Sequence, residues 1–210
     1  MPANQHEATK LRSSAMTTTQ TIAEATETIA AEATLPAAFE HLALTGFMGA
    51  GKSTIGRLLA ARLGWAFLDL DAHVEERAAA TIPEIFALHG EARFRRLESS
   101  ALASALQRRN TVIALGGGTP EGLTNRLLLE QTPRTFTIFL DAPFPTLFDR
   151  CVLQNLVRPV LSDPDAAHAR FAARHPLYSR LAGITIETAN LTPQETVDEI
   201  LLLLKTKKTR

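Results

Sequence analysis

The stretch Gly46-Phe47-Met48-Gly49-Ala50-Gly51-Lys52-Ser53 decides the fold of this chain. It matches the pattern G-x-x-x-x-G-K-[ST], in which backbone N–H groups cradle phosphate oxygens. An apolar run at 42–44 precedes it and a helical pattern at 55–61 follows it, which is the setting that such a loop requires. The glycines allow the backbone to turn its N–H groups inward, and the helix N-terminus adds a positive dipole end. An ordinary glycine-rich turn is the alternative, and the two flanks argue against it.

The motif predicts a site for the phosphates of a nucleotide. Lys52 is expected to reach the β- and γ-phosphates, and the Ser53 hydroxyl is expected to bind one Mg²⁺ ion. The residues predicted to contact ATP in this loop are Gly49, Ala50, Gly51, Lys52, Ser53 and Thr54.

Length and charge limit the classes of function. The chain has 210 residues, which suits one domain and a tail, and its 22 basic residues balance 22 acidic ones. We therefore expect no nucleic-acid partner and no membrane partner, and no apolar run is long enough to span a bilayer. The single cysteine, Cys151, suits a reducing compartment, so we expect a cytoplasmic protein.

The N-terminal segment differs in composition from the rest. Residues 1–38 are rich in Ala, Thr and Glu and lack both a bulky core pattern and the apolar core of a secretory signal. We expect a disordered or loosely helical tail at 1–38. The domain itself is predicted to cover 39–210.

Apolar strand patterns alternate with helical patterns along the domain. The predicted strands are 41–45, 65–71, 111–115, 135–140 and 184–188. This alternation predicts an α/β fold with a five-stranded parallel sheet and helices on both faces.

Two carboxylates follow the second predicted strand. If strand geometry persists, Asp69 and Asp71 project to the same side of the chain, at the strand end where α/β folds place functional groups. Helix capping is the alternative; it could explain Asp71 but leaves Asp69 without a role. We interpret Asp69, together with Ser53, as a Mg²⁺ ligand, acting through water, and Asp71 as the group that positions or deprotonates an acceptor hydroxyl.

Two further features point to a ligand. Gly116-Gly117-Gly118 directly follows a buried strand, which is typical of close backbone approach to a bound molecule, although a flexible turn is the alternative. Arg95 and Glu98 form an i, i+3 pair on a long predicted helix. Spacing alone favours a solvated surface pair, whereas a buried pair would have Glu98 fix the direction of Arg95.

An irregular segment at about 152–165 contains two prolines and carries Arg158 near its middle. It is interpreted as a mobile lid, because closing segments exclude water and supply a late-arriving cation in phosphoryl transfer. A plain connector with a solvent-facing arginine is the alternative.

Three reaction classes fit a phosphate-binding loop: a small-molecule kinase, a nucleotide-driven switch or motor, and a binder without turnover. A switch or motor usually has an acidic residue after the third strand, where this chain has glycines. The catalytic residues predicted for a kinase are Lys52, Asp71 and Arg158. Arg95 and Arg174 suggest an anionic acceptor, since the arginine fork binds both oxygens of a carboxylate.

The ordered set GFMGAGKSTIGRLLA, FLDLD, FRRLE, LGGG, RPVL and RHPLY resembles the shikimate kinase family over about 42–204. The resemblance implies a P-loop kinase fold with a lid. It also implies transfer of phosphate from ATP to the 3-hydroxyl of shikimate, in aromatic amino-acid biosynthesis. We expect a monomer. In this family the positions matching Asp71, Arg95, Gly117 and Arg174 bind shikimate, those matching Phe86 and Phe94 surround it, and the one matching Arg158 reaches the phosphates.

The chain departs from the family pattern in three places, one of which is the lid segment, which lacks the extra glycines and basic residues seen in some relatives. The tail has no counterpart in compact members, and 190–193 lacks the basic residue that many relatives carry beside the adenine. Arg150 is an alternative adenine-side residue. A kinase for another small acid such as gluconate, and a binder that holds nucleotide without turnover, remain the rival hypotheses.

Overall fold

The computed structural model of the chain describes residues 39–153 and 163–206. The predicted tail at 1–38 lies outside these residues, as do Arg158 and most of the predicted lid.

The sheet has five strands, all parallel, in the order β2-β3-β1-β4-β5. The strands are β1 (His41–Thr45), β2 (Ala66–Asp69), β3 (Thr111–Ala114), β4 (Thr135–Asp141) and β5 (Ile184–Glu187). The predicted five-stranded parallel sheet is confirmed. The predicted second strand, 65–71, was too long at its carboxyl end, because the chain turns into a helix directly after Asp69.

The described residues form seven α-helices. They are α1 (Lys52–Leu63), α2 (Leu70–Ala78), α3 (Ile82–Ala105), α4 (Leu123–Gln131), α5 (Phe144–Leu153), α6 (Pro164–Leu181) and α7 (Pro193–Thr206). A short 3₁₀ turn, Thr119–Glu121, lies between β3 and α4. Among these helices none has the length and apolar character needed to cross a membrane.

Local chemistry sets several helix ends. Thr81 and Glu84 form a capping box at the start of α3, with each side chain bonded to the backbone of the other. Gly90 leaves the helical region within α3 (φ 72°, ψ 175°), so α3 is two helical segments joined at a kink. Gly64 ends α1 in the left-handed conformation that glycine adopts without strain.

The core lies on both faces of the sheet. Leu42 and Leu44 of β1 belong to one buried cluster, and Ala43 between them belongs to another. The first cluster packs under α1 and α7, and the second packs under α2 and α3. Because β1 is covered on both sides, its apolar run is continuous rather than alternating.

The functional groups follow the carboxyl ends of neighbouring strands. In the strand register, Leu44 of β1 and Asp69 of β2 both pair with Ala114 of β3. The phosphate-binding loop after β1, the glycine triplet after β3 and the carboxylates after β2 therefore start at the same level of the sheet. Ligands of open α/β sheets bind at this edge.

Candidate active site

The loop between β1 and α1 has the backbone that a phosphate-binding loop needs. Gly46, Gly49 and Gly51 have positive φ values of 144°, 78° and 84°. A side chain on Gly49 would also meet the carbonyl oxygen of Leu147. The ammonium group of Lys52 donates hydrogen bonds to the carbonyl oxygens of Gly46 (2.9 Å) and Phe47. These bonds hold the cation over the loop.

A pocket of about 300 Å³ opens beside this loop. It brings together most of the residues predicted from the sequence: Gly49, Gly51, Lys52, Ser53, Thr54, Asp69, Asp71, Gly117 and Arg174. Groups predicted for nucleotide phosphates and groups predicted for the acceptor therefore share one cavity.

Asp69 serves two partners with its two carboxylate oxygens. Oδ2 accepts a 2.6 Å hydrogen bond from the Ser53 hydroxyl. Oδ1 accepts from the N–H groups of Asp71 (3.2 Å) and Ala72, so Asp69 is the N-cap of α2. The capping alternative therefore applies to Asp69 rather than to Asp71, since the strand ends at Asp69. Asp71 lies in the first turn of α2, so the expected period-2 relationship between the two carboxylates does not hold.

The oxygen atoms of Ser53 and Asp69 form a donor set that suits Mg²⁺. This ion prefers oxygen ligands and is usually bound by one or two protein groups, with water and phosphate oxygens completing the shell. Within the described residues, no cluster of three or more His, Cys, Asp and Glu side chains could hold a metal by itself. A hydroxyl beside a carboxylate at a phosphate-binding loop fits an ion that arrives with a nucleotide.

Gly116 allows the end of β3 to approach Asp71. A Cβ atom on Gly116 would lie 2.5 Å from Oδ1 of Asp71 and 3.3 Å from Oε1 of Glu98. Any side chain at this position would displace the Asp71 carboxylate. The glycine triplet is therefore a place of close approach to the carboxylates rather than a flexible turn.

The Arg95–Glu98 pair is buried at its acidic end. The Glu98 side chain is only 1% exposed and accepts hydrogen bonds from Arg95 Nη1 (3.1 Å), Thr119 Oγ1 (2.8 Å) and Asn125 Nδ2. Burial works to lower the pKa of Arg95, but the charge of Glu98 and the nearby carboxylates outweigh it and leave the pKa raised. The arrangement is the buried one, in which Glu98 fixes the direction of a permanently charged guanidinium.

Arg174 reaches the same region from α6. Its Nε and Nη2 atoms donate to Oε1 (2.9 Å) and Oε2 (3.1 Å) of Glu121 in a two-pronged contact. Arg95 Nη2 also donates to Oε2 of Glu121, at 2.9 Å. Arg95 does not line the pocket beside Lys52, but Glu121 connects it to Arg174, which does.

Tyr178 supports the middle glycine of the triplet. Its hydroxyl donates a 2.6 Å hydrogen bond to the carbonyl oxygen of Gly117. Burial raises the pKa of Tyr178, so the hydroxyl stays protonated as a donor. No motif in the sequence marks Tyr178 as a site residue, although its position four residues after Arg174 places both on one helix face. Glu121 was also missed, because no periodic pattern marks a 3₁₀ turn.

The two predicted aromatic residues lie beside Arg95 and do not line the pocket at the loop. The rings of Phe86 and Phe94 are 4.8 Å apart, and the Arg95 guanidinium carbon lies 5.4 Å from the Phe94 ring centroid. Phe94 is buried, whereas Phe86 is 39% exposed. Arg158 falls outside the described residues.

A second pocket of about 280 Å³ adjoins the other side of the loop. It is lined by Gly49, Ala50, Gly51, Thr54, Ile55, Arg150, Thr188, Leu191, Pro193 and Thr196. Arg150 donates to the carbonyl oxygen (2.6 Å) and to Oγ1 of Thr188, so its guanidinium is anchored to the segment after β5. Ala50, predicted to contact ATP, lies in this pocket.

Comparison with known proteins gives one consistent result. The family model described as "Shikimate kinase" matches residues 48–205. The shikimate kinase of Symbiobacterium thermophilum is 43% identical over 174 residues, which cover 81% of this chain and 99% of that protein. The shikimate kinase of Xanthomonas campestris is 39% identical over 167 residues, covering 78% of this chain and 91% of that protein.

Solved structures agree with the sequence relatives. The shikimate kinase of Acinetobacter baumannii in complex with shikimate aligns with a TM-score of 0.74 and 35% identity, covering 82% of this chain and 96% of that chain. The enzyme of Aquifex aeolicus aligns with a TM-score of 0.69 and 37% identity, over 79% and 96% of the two chains. The P-loop kinase fold and the kinase activity class predicted from the sequence are thereby confirmed, and the chain belongs to the shikimate kinase family.

Proposed function

We propose that the chain transfers the γ-phosphoryl group of ATP to the 3-hydroxyl of shikimate, forming ADP and 3-phosphoshikimate. The observation that carries this proposal is the single pocket lined by Lys52, Asp71 and Arg174. It combines a phosphate-binding cation, a carboxylate suited to a hydroxyl and a guanidinium suited to a carboxylate. A related enzyme has been solved with shikimate bound.

ATP is assigned to the phosphate-binding loop and to the second pocket, which adjoins the other side of that loop. The phosphates lie against the N–H groups of 49–54, and the base occupies the second pocket between Arg150 and Leu191. Since Arg150 is held by Thr188, its guanidinium plane offers a fixed surface for an aromatic base. This arrangement replaces the basic residue that many relatives carry near 190–193.

Shikimate is assigned to the space between Asp71 and the arginines. Its carboxylate pairs with Arg174 and Arg95, and its ring hydroxyls face Asp71. Gly117 contributes a backbone contact, with its peptide fixed by Tyr178. Phe86 and Phe94 supply the apolar wall next to Arg95.

The chemical step is an in-line displacement. The acceptor oxygen bonds to the γ-phosphorus while the bond from that phosphorus to the β,γ-bridging oxygen breaks, and ADP departs. Asp71 positions the hydroxyl and takes its proton. Lys52 stabilises the charge on the transferring group, and Arg158 is assigned the same task from the lid at 152–165. Ser53 and Asp69 would hold one Mg²⁺ ion, which neutralises charge on the β- and γ-phosphates when bound.

The proposal also covers the domain boundaries, the oligomeric state and the cellular location of the protein. We assign 39–210 to the catalytic domain and 1–38 to a segment outside it. We propose that the active unit is a monomer. The balanced charge and single cysteine support a cytoplasmic enzyme.

A coupled assay of ADP release tests the function. Wild-type protein should turn over shikimate and leave gluconate unphosphorylated, and the product should carry its phosphate on the 3-hydroxyl by ³¹P-coupled NMR. Lys52→Ala should remove turnover, whereas Lys205→Ala, an exposed change on α7, should not. Turnover of gluconate instead would assign another small-acid kinase. ATP binding without turnover of either acid would identify a nucleotide binder.

A further inference from the structure

Glu121 places a carboxylate between the two arginines assigned to the substrate. Oε1 and Oε2 of Glu121 face Nε and Nη2 of Arg174, and Oε2 also accepts from Arg95 Nη2. Two parallel N–H···O bonds are the geometry in which arginine binds a carboxylate ligand. Glu121 thus makes, within the chain, the contact that the substrate carboxylate is proposed to make.

The charged side chains around this contact carry no net positive charge that would attract another anion. Arg95 and Arg174 contribute two positive charges, and Glu91, Glu98 and Glu121 contribute three negative ones. A substrate carboxylate added to this set would meet a cluster that is already net negative. The substrate carboxylate can take Nε and Nη2 of Arg174 only if the side chain that occupies them moves away.

Of the three carboxylates, Glu121 is the one that can move away from both arginines. Glu98 is 1% exposed and receives three hydrogen bonds, so its removal from the cluster would disrupt the interior. Glu91 is 65% exposed, but among the described residues it bonds to Arg95 and not to Arg174, so its departure would leave Nε and Nη2 of Arg174 occupied. The Glu121 side chain is 37% exposed and can turn to solvent, while its backbone stays fixed through bonds to Gly118 and Arg126.

We propose that Glu121 is an internal competitor for the acceptor site: its carboxylate occupies Arg174 and Arg95, and the carboxylate of shikimate binds by displacing it. This inference rests on the proposed function. It makes Glu121 a residue that sets the affinity for the acid substrate without touching the transferred phosphate. Ligands too weak to displace Glu121 are kept off the arginine pair.

The opposite role predicts the opposite sign. If Glu121 instead braced the two arginines for the substrate, its loss would let them move and would weaken substrate binding. A competitor and a brace are therefore separated by the direction in which KM and Kd for shikimate change when the carboxylate is removed.

The test uses Glu121→Gln and Glu121→Ala in the full chain. Removing the competing charge should lower KM for shikimate, and Kd from calorimetry, by about threefold to tenfold, or about 0.7–1.4 kcal/mol. The kcat and the KM for ATP should stay unchanged. A crystal structure with shikimate should show its carboxylate on Arg174 Nε and Nη2, with Glu121 turned to solvent.

Glu40→Gln is the matched control. Glu40 also lies between two arginines, Arg134 (2.6 Å) and Arg109 (3.8 Å), but at the amino end of β1. The Glu40→Gln substitution removes the same charge from between two arginines, far from the proposed substrate site, and should leave KM for shikimate unchanged.

The outcomes distinguish the inference from the proposed function. Wild-type turnover of shikimate, combined with an unchanged or raised KM in both Glu121 variants, would overturn the competitor role alone. A wild-type protein that neither binds nor phosphorylates shikimate would overturn the proposed function, and the competitor role with it.

Discussion

The Ser53 hydroxyl donates a 2.6 Å hydrogen bond to Oδ2 of Asp69, while Oδ1 of the same carboxylate caps α2. One side chain thus joins the first turn of α1 to the first turn of α2, across the edge where β1 and β2 end. The oxygen that faces Ser53 is the one assigned to Mg²⁺, and the oxygen that faces the helix is structural. The two tasks can be separated by mutation.

Asp69→Asn should weaken Mg²⁺ binding and leave the N-cap of α2 in place. Asparagine caps helices about as well as aspartate, but its amide has a single oxygen and no charge, so when that oxygen caps α2 an NH₂ group faces Ser53 and the metal position. We expect the Mg²⁺ concentration for half-maximal rate to rise about 10- to 100-fold, with little change in the urea midpoint. Asp69→Ala should add a stability loss of about 1 kcal/mol. An unchanged Mg²⁺ titration in Asp69→Asn would remove Asp69 from the metal site.

The sequence predicted those parts of the site that depend on local pattern. The loop around Lys52 and the strand before it are contiguous, so motif and periodicity sufficed. The end of β2 was misjudged because strand and helix meet at a single residue, Asp69, without a turn signal between them. Apolar residues lie on both sides of that junction, so the hydrophobic pattern does not show where the strand period gives way to the helical period.

Contacts between distant segments could not be read from spacing. The i, i+3 spacing of Arg95 and Glu98 puts them on one helix face, but only the packing of Thr119 and Asn125 over that face buries Glu98. Glu121 meets Arg174 from 53 positions away along the chain. Such a contact depends on tertiary packing, which brings α6 against the turn Thr119–Glu121 although β1 and β4 separate β3 from β5 in the sheet.

The two substrate arginines should differ in their effect on stability. Arg95→Ala leaves the buried Glu98 carboxylate without its cation, and we expect a loss of about 3 kcal/mol. Arg174→Ala leaves only the half-exposed Glu121, so the loss should stay below about 1 kcal/mol. Both changes should raise KM for shikimate more than KM for ATP, because they remove ground-state binding of the acid. Urea unfolding and steady-state kinetics provide the measurements.

A double variant checks the cause of the Arg95 effect. Adding Glu98→Gln to Arg95→Ala removes the buried charge and should recover part of the lost stability, without restoring KM. A change confined to KM for ATP in Arg95→Ala would contradict its assignment to the acceptor.

The capping box of α7 should make stability depend on pH. Hydrogen bonds from the backbone N–H and the hydroxyl of Thr192 lower the pKa of Glu195 below its ordinary value of 4.5. A carboxylate with a lower pKa in the folded state stabilises the fold above the unfolded pKa and loses this effect as the pH falls through the folded pKa. Glu195→Gln should therefore be less stable than wild type at pH 7, and the difference should shrink below pH 4.5.

The measurement is urea unfolding of both proteins across that pH range. Glu130→Gln removes an exposed carboxylate from α4, outside any capping box of the described helices, and serves as the control. A difference between Glu195→Gln and wild type that stays constant with pH would show that the carboxylate charge does not strengthen the cap.

Removal of residues 1–38 should leave kcat and both KM values intact. The first strand begins at His41, and all residues that line the two pockets come after it. The comparison is between full-length and shortened protein in the same coupled assay. A large loss of turnover in a folded, shortened protein would show that the segment contributes to the catalytic domain.

Asp71→Asn should lower kcat by about 10²- to 10⁴-fold, because the amide can still contact the acceptor hydroxyl but cannot take its proton. KM for shikimate should change little, since the contact is kept. Asp198→Asn is the matched control: it removes a carboxylate that is 59% exposed and paired with Arg62 on the surface. Its kcat should equal that of wild type.

Gly116→Ala tests the same carboxylate without altering it. The added Cβ would lie 2.5 Å from Oδ1 of Asp71, so the carboxylate has to shift from its position. We expect kcat to fall in this variant as well, and the pair Gly116→Ala and Asp71→Asn to be far from additive because both act on one group. Wild-type rates in Asp71→Asn would exclude Asp71 as the base. If Gly116→Ala were then still slow, the loss would be traced to the glycine triplet after β3 itself.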